Sequence, residues 1–489
     1  MLLYSLILPA QNHDYYWVMG YGSNIVGGNS GGTDIDFNVS PPDTNYVFRE
    51  MDMQENCTSI CNAEGELLFY SNGCYIAASD HLPLLNGDGL NPGFIADNYC
   101  DIAYLGAQCS IILPMPEVDS LYRLFHLTID LNDLNAGVVT KFLYTDINMN
   151  LDNERGAVTV KNQLILEDTL TFGQLTAVKH ANGKDWWVVI PESTSDRYYK
   201  YLFTSNGLLG PFEQRIGNVS SSVDWNGQAV FSPDGNTYVR FDTYNDLNIF
   251  DFDRCEGTIS NHRYIPMNFN MDTVVAGGAA ISSNSQYLYV SATDKVFQFD
   301  LYANDIASSK TVVAIYDGYA SPFASTFYLA QLAADNKIYI NCTNAENVLH
   351  VINEPNLPGL DCNLTQHSFQ LPTYNGFSMP NFPNYRLGQS SEVCDSVIAN
   401  TVFPDSLAIT IRAFPNPVSE QINFDNVPGR FEKGIVYFYD VAGREVAKYN
   451  ILPGEASFSL DMEHFMPGCY IYNVMLDDVL QSSGKVIKQ

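Results

Sequence analysis

Five stretches of this chain repeat one pattern at a spacing near fifty residues, and that period limits the fold more than any other feature. They run SICNAEGELLFYSNG from Ser59, AVKHANGKDWWVVIP from Ala177, AVFSPDGNTYVRFD from Ala229, AAISSNSQYLYVSA from Ala279 and AQLAADNKIYINCT from Ala330. Each reads as a short apolar strand, a polar turn six residues in (Gly65, Gly183, Gly235, Ser285, Asn336) and an aromatic-rich strand. Cys109 opens a degenerate copy with a longer turn, CSIILPMPEVDSLYRLFHL, so successive starts lie 50, 68, 52, 50 and 51 residues apart. Third strands follow at 247–253, 295–301 and 348–354. In Ser232-Pro233-Asp234-Gly235, proline presets φ at the first corner and glycine accepts a positive φ, which closes a hairpin. Ser71-Asn72-Gly73-Cys74 predicts a type I′ hairpin. Four short strands per fifty residues without helical periodicity predict an all-β body with less than about a tenth helix. The 31 tyrosines and 28 phenylalanines suit such pleated, half-buried surfaces.

The Ser-Pro-Asp-Gly turn and the run LYVSATDKVFQFDL (288–301) resemble blades of β-propellers of the YVTN and WD type, including propeller bodies joined to secretion tails. The resemblance spans roughly 14–388. No Trp-Asp dipeptide and no Gly-His pair occur, so the regulatory WD reading is weak. One further step from Ala330 lands near Phe377, where GFSMPNFPNYRLG (376–388) would give one strand of a last blade. The run Tyr15-Tyr16-Trp17-Val18-Met19-Gly20 would supply its partners. Joining both ends in one blade closes the ring and predicts seven blades, with six as the alternative. Residues 389–408 then read as a linker.

From Phe414 the sequence changes character: FPNPVSEQINFDN, YFYDVAGREVAKYN and FSLDMEHFMPGCYIYNVMLDDVLQSSGKVIKQ are short alternating strands between turns. The Pro415-Asn416-Pro417 opening, the Asp440-x-x-Gly443-Arg444 turn and the Met466-Pro467-Gly468-x-Tyr470 step resemble the type A C-terminal sorting domain of type IX secretion. Cys469 stands where an aliphatic residue is more usual. The resemblance covers about 409–489. It implies a small β-sandwich, the secretion machinery as a partner, and display at the cell surface. At the other end, MLLYSLILPA (1–10) looks like the end of a signal peptide, with cleavage before Gln11 and without the usual basic start.

The chain carries 24 Lys and Arg against 55 Asp and Glu, a net charge of −31. Such a surface repels phosphate backbones and anionic lipid, so nucleic acid and membrane surfaces are poor partners. No run of eighteen apolar residues is present to cross a membrane as a helix. Ten cysteines are too few for a disulfide scaffold, yet export through an oxidising compartment favours some pairing. A Cys57–Cys61 bridge is disfavoured, because four residues of extended chain span about 13 Å.

Chemistry is sparsely marked. Gly28-Asn29-Ser30-Gly31-Gly32 fits the nucleophile-elbow pattern, but TDIDFNVSPPD follows and cannot be the helix that pattern requires. The eight histidines show no paired spacing; His180 is the candidate for a central channel, with a satisfied core or loop histidine as the favoured reading. Trp186 and Trp187 lie side by side on a strand and face opposite ways, so one is core and the other packs between blades or stacks on a ligand. Asp88, in NGDGLN, and Asp152, in NMNLD, sit among alternating oxygen donors that would suit calcium, although neither run has the EF-hand spacing. No other cofactor is indicated. These features favour a binding or adhesion module for a glycan or protein over a hydrolase or lyase acting on a polysaccharide or lactone.

Overall fold

The computed structural model describes residues 11–489 apart from 26–27, 133–135, 221–226, 271–273, 391–393, 395–411, 426–432, 441–443, 454–456 and 477–478. The signal-like residues 1–10 and most of the expected linker lie outside the described residues. The chain divides into two compact units, 1–395 and 396–489.

The first unit is a β-propeller body of seven antiparallel sheets in chain order. The first (Tyr16–Tyr21, Gly31–Asp36, Asp43–Val47) and second (Thr58–Cys61, Leu67–Ser71, Ile76–Ala78) have three strands each. The five that follow have four and open with Ser110–Pro114, Thr176–Lys179, Gln228–Phe231, Gly277–Ile281 and Phe327–Leu332. The six predicted repeat starts thus fall at or beside the opening strand of sheets two to seven. Opening strands surround one axis, and small residues let them approach it: Ala177, Ala229, Ala279 and Ala330 are all buried. Glutamines tie them together across the axis. Gln108 donates to the Ala229 carbonyl at 3.0 Å and accepts from the Ala229 amide at 2.8 Å. Gln228 accepts from the amides of Ala279 (3.0 Å) and Ala330 (2.8 Å).

The turn positions keep their period in backbone geometry. Gly65, Gly183, Gly235, Ser285 and Asn336 all have positive φ, at 91°, 73°, 78°, 63° and 65°. Two of the five hold this left-handed conformation against the steric penalty of a Cβ. The 71–74 hairpin differs from expectation. Ser71 pairs with Ile76, so the loop has four residues, and only Gly73 has positive φ. The Asn72 side chain instead accepts the Cys74 amide at 3.0 Å, a turn closed by a side chain rather than by two left-handed residues. The third sheet departs from the short-strand pattern, with strands Leu121–Leu131, Gly137–Asn148 and Ala157–Leu170. Helix among the described residues is limited to Phe94–Tyr99 and two 3-10 turns.

Ring closure also differs. Tyr16–Tyr21 does not share a last blade with 376–388; it pairs with Gly31–Asp36 inside the first sheet. Trp17 packs on Tyr339 of the seventh sheet, with ring centroids 5.7 Å apart. Residues 376–388 form no strand and run along the axis. Asn381 donates to the carbonyls of Ser110 and Leu175, Tyr385 donates to Ile112 O at 2.7 Å, and Asn384 donates to Pro233 O at 2.7 Å. Two asparagines and a tyrosine thus satisfy carbonyls that a strand would have met by ladder bonds. At its exit this segment is fastened twice. Arg254 donates to Gly388 O at 2.6 Å, and Cys394 is disulfide-bonded to Cys255. A second disulfide joins Cys74 to Cys100, while Cys57 and Cys61 are both free.

The second unit is a sandwich of a three-stranded sheet (Arg412–Phe414, Gln421–Asp425, Ser457–Asp461) and a four-stranded one (Gly434–Asp440, Glu445–Ile451, Gly468–Leu476, Val479–Lys488). Its core includes Val418, Ile422, Phe424, Val436, Phe438 and Val474. Asn416, between the two prolines, donates to Lys485 O at 2.6 Å and accepts from the Ile487 amide at 2.9 Å, so the opening motif holds the last strand. Asp440 accepts from the Arg444 amide and guanidinium at 3.0 and 2.8 Å, and Gly468 pairs with Lys488. Gly443 lies outside the described residues.

Candidate functional site

What remains of the axial channel is a cavity of about 200 Å³ lined by Ala229, Ala279 and Ala330, with Asn381, Asp14 and Arg386 alongside. Its two charged groups neutralise each other: Arg386 grips Asp14 with both guanidinium ends. No three His, Cys, Asp or Glu side chains converge to hold a metal ion anywhere among the described residues.

A larger pocket of about 850 Å³ opens beside it, where the first turns of the second, third and fourth sheets meet. Its floor is His13, Tyr122, Trp186 and Lys179, all buried, and exposed Glu64, Glu117 and Asp119 stand at its rim. Hairpin register explains the floor. Lys179 ends an opening strand and pairs directly with Trp186 on the next, which lays the ammonium over the indole, Nζ 4.4 Å from the ring centroid. Lys179 is only 3 % exposed. Its ammonium has no hydrogen-bond or ion-pair partner among the described residues, although its backbone carbonyl accepts from Arg254 Nε at 2.9 Å; Trp186 Nε1 is buried without an acceptor. Burial lowers the amine from 10.5 to about 8; Asp185 opposes that fall and Arg254 adds to it. Across the pocket, burial lowers the His13 pKa, partly offset by the Cys61 carbonyl that meets its Nδ1 at 2.6 Å. At the rim, Lys184 pairs with Glu117.

The positions singled out in the sequence are scattered rather than gathered. Trp187 is buried between the fourth and fifth sheets, donating to Arg254 O at 2.9 Å and closing on Gly257, where a Cβ would fall 2.7 Å from the ring. Trp186 packs on Tyr385 and under Lys179. Both indoles are enclosed, so neither offers an open face for stacking. His180 is a satisfied loop histidine, bound to Cys255 O and the Asn182 amide, and does not reach the axis. Ser30 leads straight into the strand Gly31–Asp36. Near Asp88 the loop oxygens surround a protein cation: Lys161 donates to Asn86 Oδ1 at 2.9 Å and to Asp88 O at 2.8 Å. Asp152 lies 3.7 Å from Arg155.

One pair unmarked by the sequence resembles a nucleophile and base, Cys342 Sγ at 3.6 Å from His350 Nε2. Burial pushes the thiol far up and the imidazole down to about 4, so both are neutral and unreactive. Lys179 carries no motif of its own in the sequence either. The available signal is the hairpin AVKHANGKDWW, in which lysine and tryptophan fall opposite each other.

The family model of the secretion-system C-terminal sorting domain matches residues 412–489. The tail is a type IX sorting domain. It marks proteins exported across the outer membrane to the cell surface or beyond, and it implies contact with that secretion machinery. No helix among the described residues is long and apolar enough to cross a membrane. No curated protein matches the chain. Among solved structures, the chain is similar to a putative 6-phosphogluconolactonase from Bacteroides fragilis (13 % identity, 74 % of this chain and 97 % of that one, TM-score 0.38). It is also similar to a gluconolactonase from Xanthomonas campestris (12 %, 69 % and 96 %, 0.30). The β-propeller domain of Cps50 (Swd1) from Myceliophteria thermophila is a third (6 %, 64 % and 87 %, 0.35). The likeness is one of strand arrangement and brings no activity with it.

Proposed function

We propose that the body attached to this sorting domain is a surface-displayed binding module for a glycan. The observation that carries the reading is the 850 Å³ pocket on the turn face, a volume within the ~300–1,000 Å³ usual for ligand sites. Its floor is fixed between strands, while the axial channel is occupied by residues 376–388.

The second reading is a hydrolase or lyase acting on a polysaccharide or lactone, and Lys179 is the observation in its favour. An amine held near 8 is suited to accept a proton close to neutral pH. A glycan array on the secreted chain, run beside turnover assays on the same saccharides, separates the two. Binding without product supports the module. Product release that disappears in Lys179→Met would replace it with the enzyme. Asp88 and Asp152 remain the positions for calcium under this proposal. An ion at Asp88 must displace the Lys161 ammonium, so chelation is expected to leave binding unchanged.

A further inference from the structure

Resting on the glycan-binding reading, we propose that the pocket selects a glycan bearing a single acidic sugar, whose carboxylate takes the place of the missing partner of Lys179. The charges of the site are out of balance. In a chain of net charge −31, the floor of this pocket holds a lysine only 3 % exposed and without an ion-pair partner among the described residues, and the neighbouring Arg386 is already committed to Asp14. Buried charges in native proteins are paired as a rule, because leaving one alone forfeits its hydration without return. A lysine at the base of an open pocket that feels Asp185 but makes no ion pair with it leaves its ammonium for an anion that arrives from outside. Trp186 restricts the approach: its ring lies under the ammonium and leaves the pocket side for an anion.

Charges around the pocket narrow the class further. Facing Lys179 are Asp185 on the next turn, Arg254 from the fifth sheet and His13 from the chain start. At the rim stand Glu64 and Asp119, with Glu117 held by Lys184. A polyanion would bring repeated charges against these carboxylates. A neutral chain carrying one uronate would place its only charge on Lys179 and its hydroxyls at the rim. A sulfate ester is the competing source of negative charge, and the test separates it.

Titration calorimetry on the secreted full chain would use four probes: a neutral xylo-oligosaccharide, the same oligosaccharide bearing one glucuronate, its singly sulfated counterpart, and an oligogalacturonate. The glucuronate-bearing probe is expected to bind at least about tenfold more tightly than the neutral one. That gain should vanish in Lys179→Met and persist in part in Lys179→Arg. Lys200→Met, which removes a buried lysine outside the pocket, should leave it unchanged. Thermal melts confirm that each variant is folded. Equal affinity for the neutral and glucuronate-bearing probes, or preference for the sulfated or polyanionic one, overturns the proposal while leaving glycan binding intact. Failure of every saccharide to bind removes the glycan-binding reading itself, and this proposal with it.

Discussion

Lys179→Met should make the protein more stable. The unfolded chain exposes this amine to water, where it titrates at 10.5; in the fold, burial lowers it to about 8. A tenfold change in proton affinity is worth about 1.36 kcal/mol, so keeping the ammonium at neutral pH costs the native state about 3 kcal/mol. Methionine fills nearly the same space without the charge. With an unfolding entropy of roughly 2.1 cal/mol/K per residue over a body of about 380 residues, relief of about 3 kcal/mol raises Tm by about 4 °C. The pH dependence gives a second, independent sign. Between about 8 and 10.5 the unfolded state binds more protons than the native state, so the parent gains stability as pH rises through that window, and below it the full penalty is present. The difference in Tm between parent and variant should accordingly be largest at pH 7 and shrink toward zero by pH 10.5. Scanning calorimetry of both proteins from pH 6.5 to 10.5 measures it. A variant that melts at or below the parent temperature at pH 7, or a difference that does not change with pH, would refute the account of Lys179 as an unpaired buried charge.

Asn336→Gly removes the left-handed strain at a turn where the side chain makes no hydrogen bond among the described residues, and should stabilise by about 0.5–1 kcal/mol in denaturant melts. Ser285→Gly should gain less, because the Ser285 hydroxyl accepts the Asp234 amide at 3.0 Å and that bond disappears. Arg49→Ala leaves the buried Asp34 carboxylate without its ion pair at 2.6 Å and should cost about 3–5 kcal/mol, read from the same melts. A chain ending at Asp395 should remain in the periplasm while the full chain reaches the surface; protease accessibility on whole cells distinguishes them, and equal display would remove the sorting role of 412–489.

The opening strands and turns are legible in the sequence because their chemistry is local. A small apolar run followed six residues later by Gly65, Gly183 or Gly235 records both the close approach to an axis and a left-handed corner. Ser285 and Asn336 occupy the same corner without glycine, and only the period marks them. Ring closure is not legible, because the polar, proline-broken stretch 376–388 meets its hydrogen-bonding needs through Asn381, Asn384 and Tyr385, whose partners lie far away in the chain. Lys179 is hidden for a related reason. Lysine is rarely buried, so its sequence position suggests a solvated strand end, and only the register opposite Trp186 and the neighbouring turns enclose it. The tail is readable because Asn416 and Asp440 sit in short turns with a fixed pattern of residues around them.

The Cys255–Cys394 disulfide has a mechanical consequence. Tension drawn along the polypeptide from the sorting domain meets the body first at Cys394, ahead of the stretch that fills the axis. The crosslink diverts that tension into the last hairpin of the fifth sheet, where Arg254 braces the same exit through Gly388. Residues 376–388 are thereby spared the pull that would draw them out of the ring, much as a clamp at the wall of a box spares the wiring inside it. In a reducing medium the clamp opens, and a tug on the tail would fall directly on the axial segment.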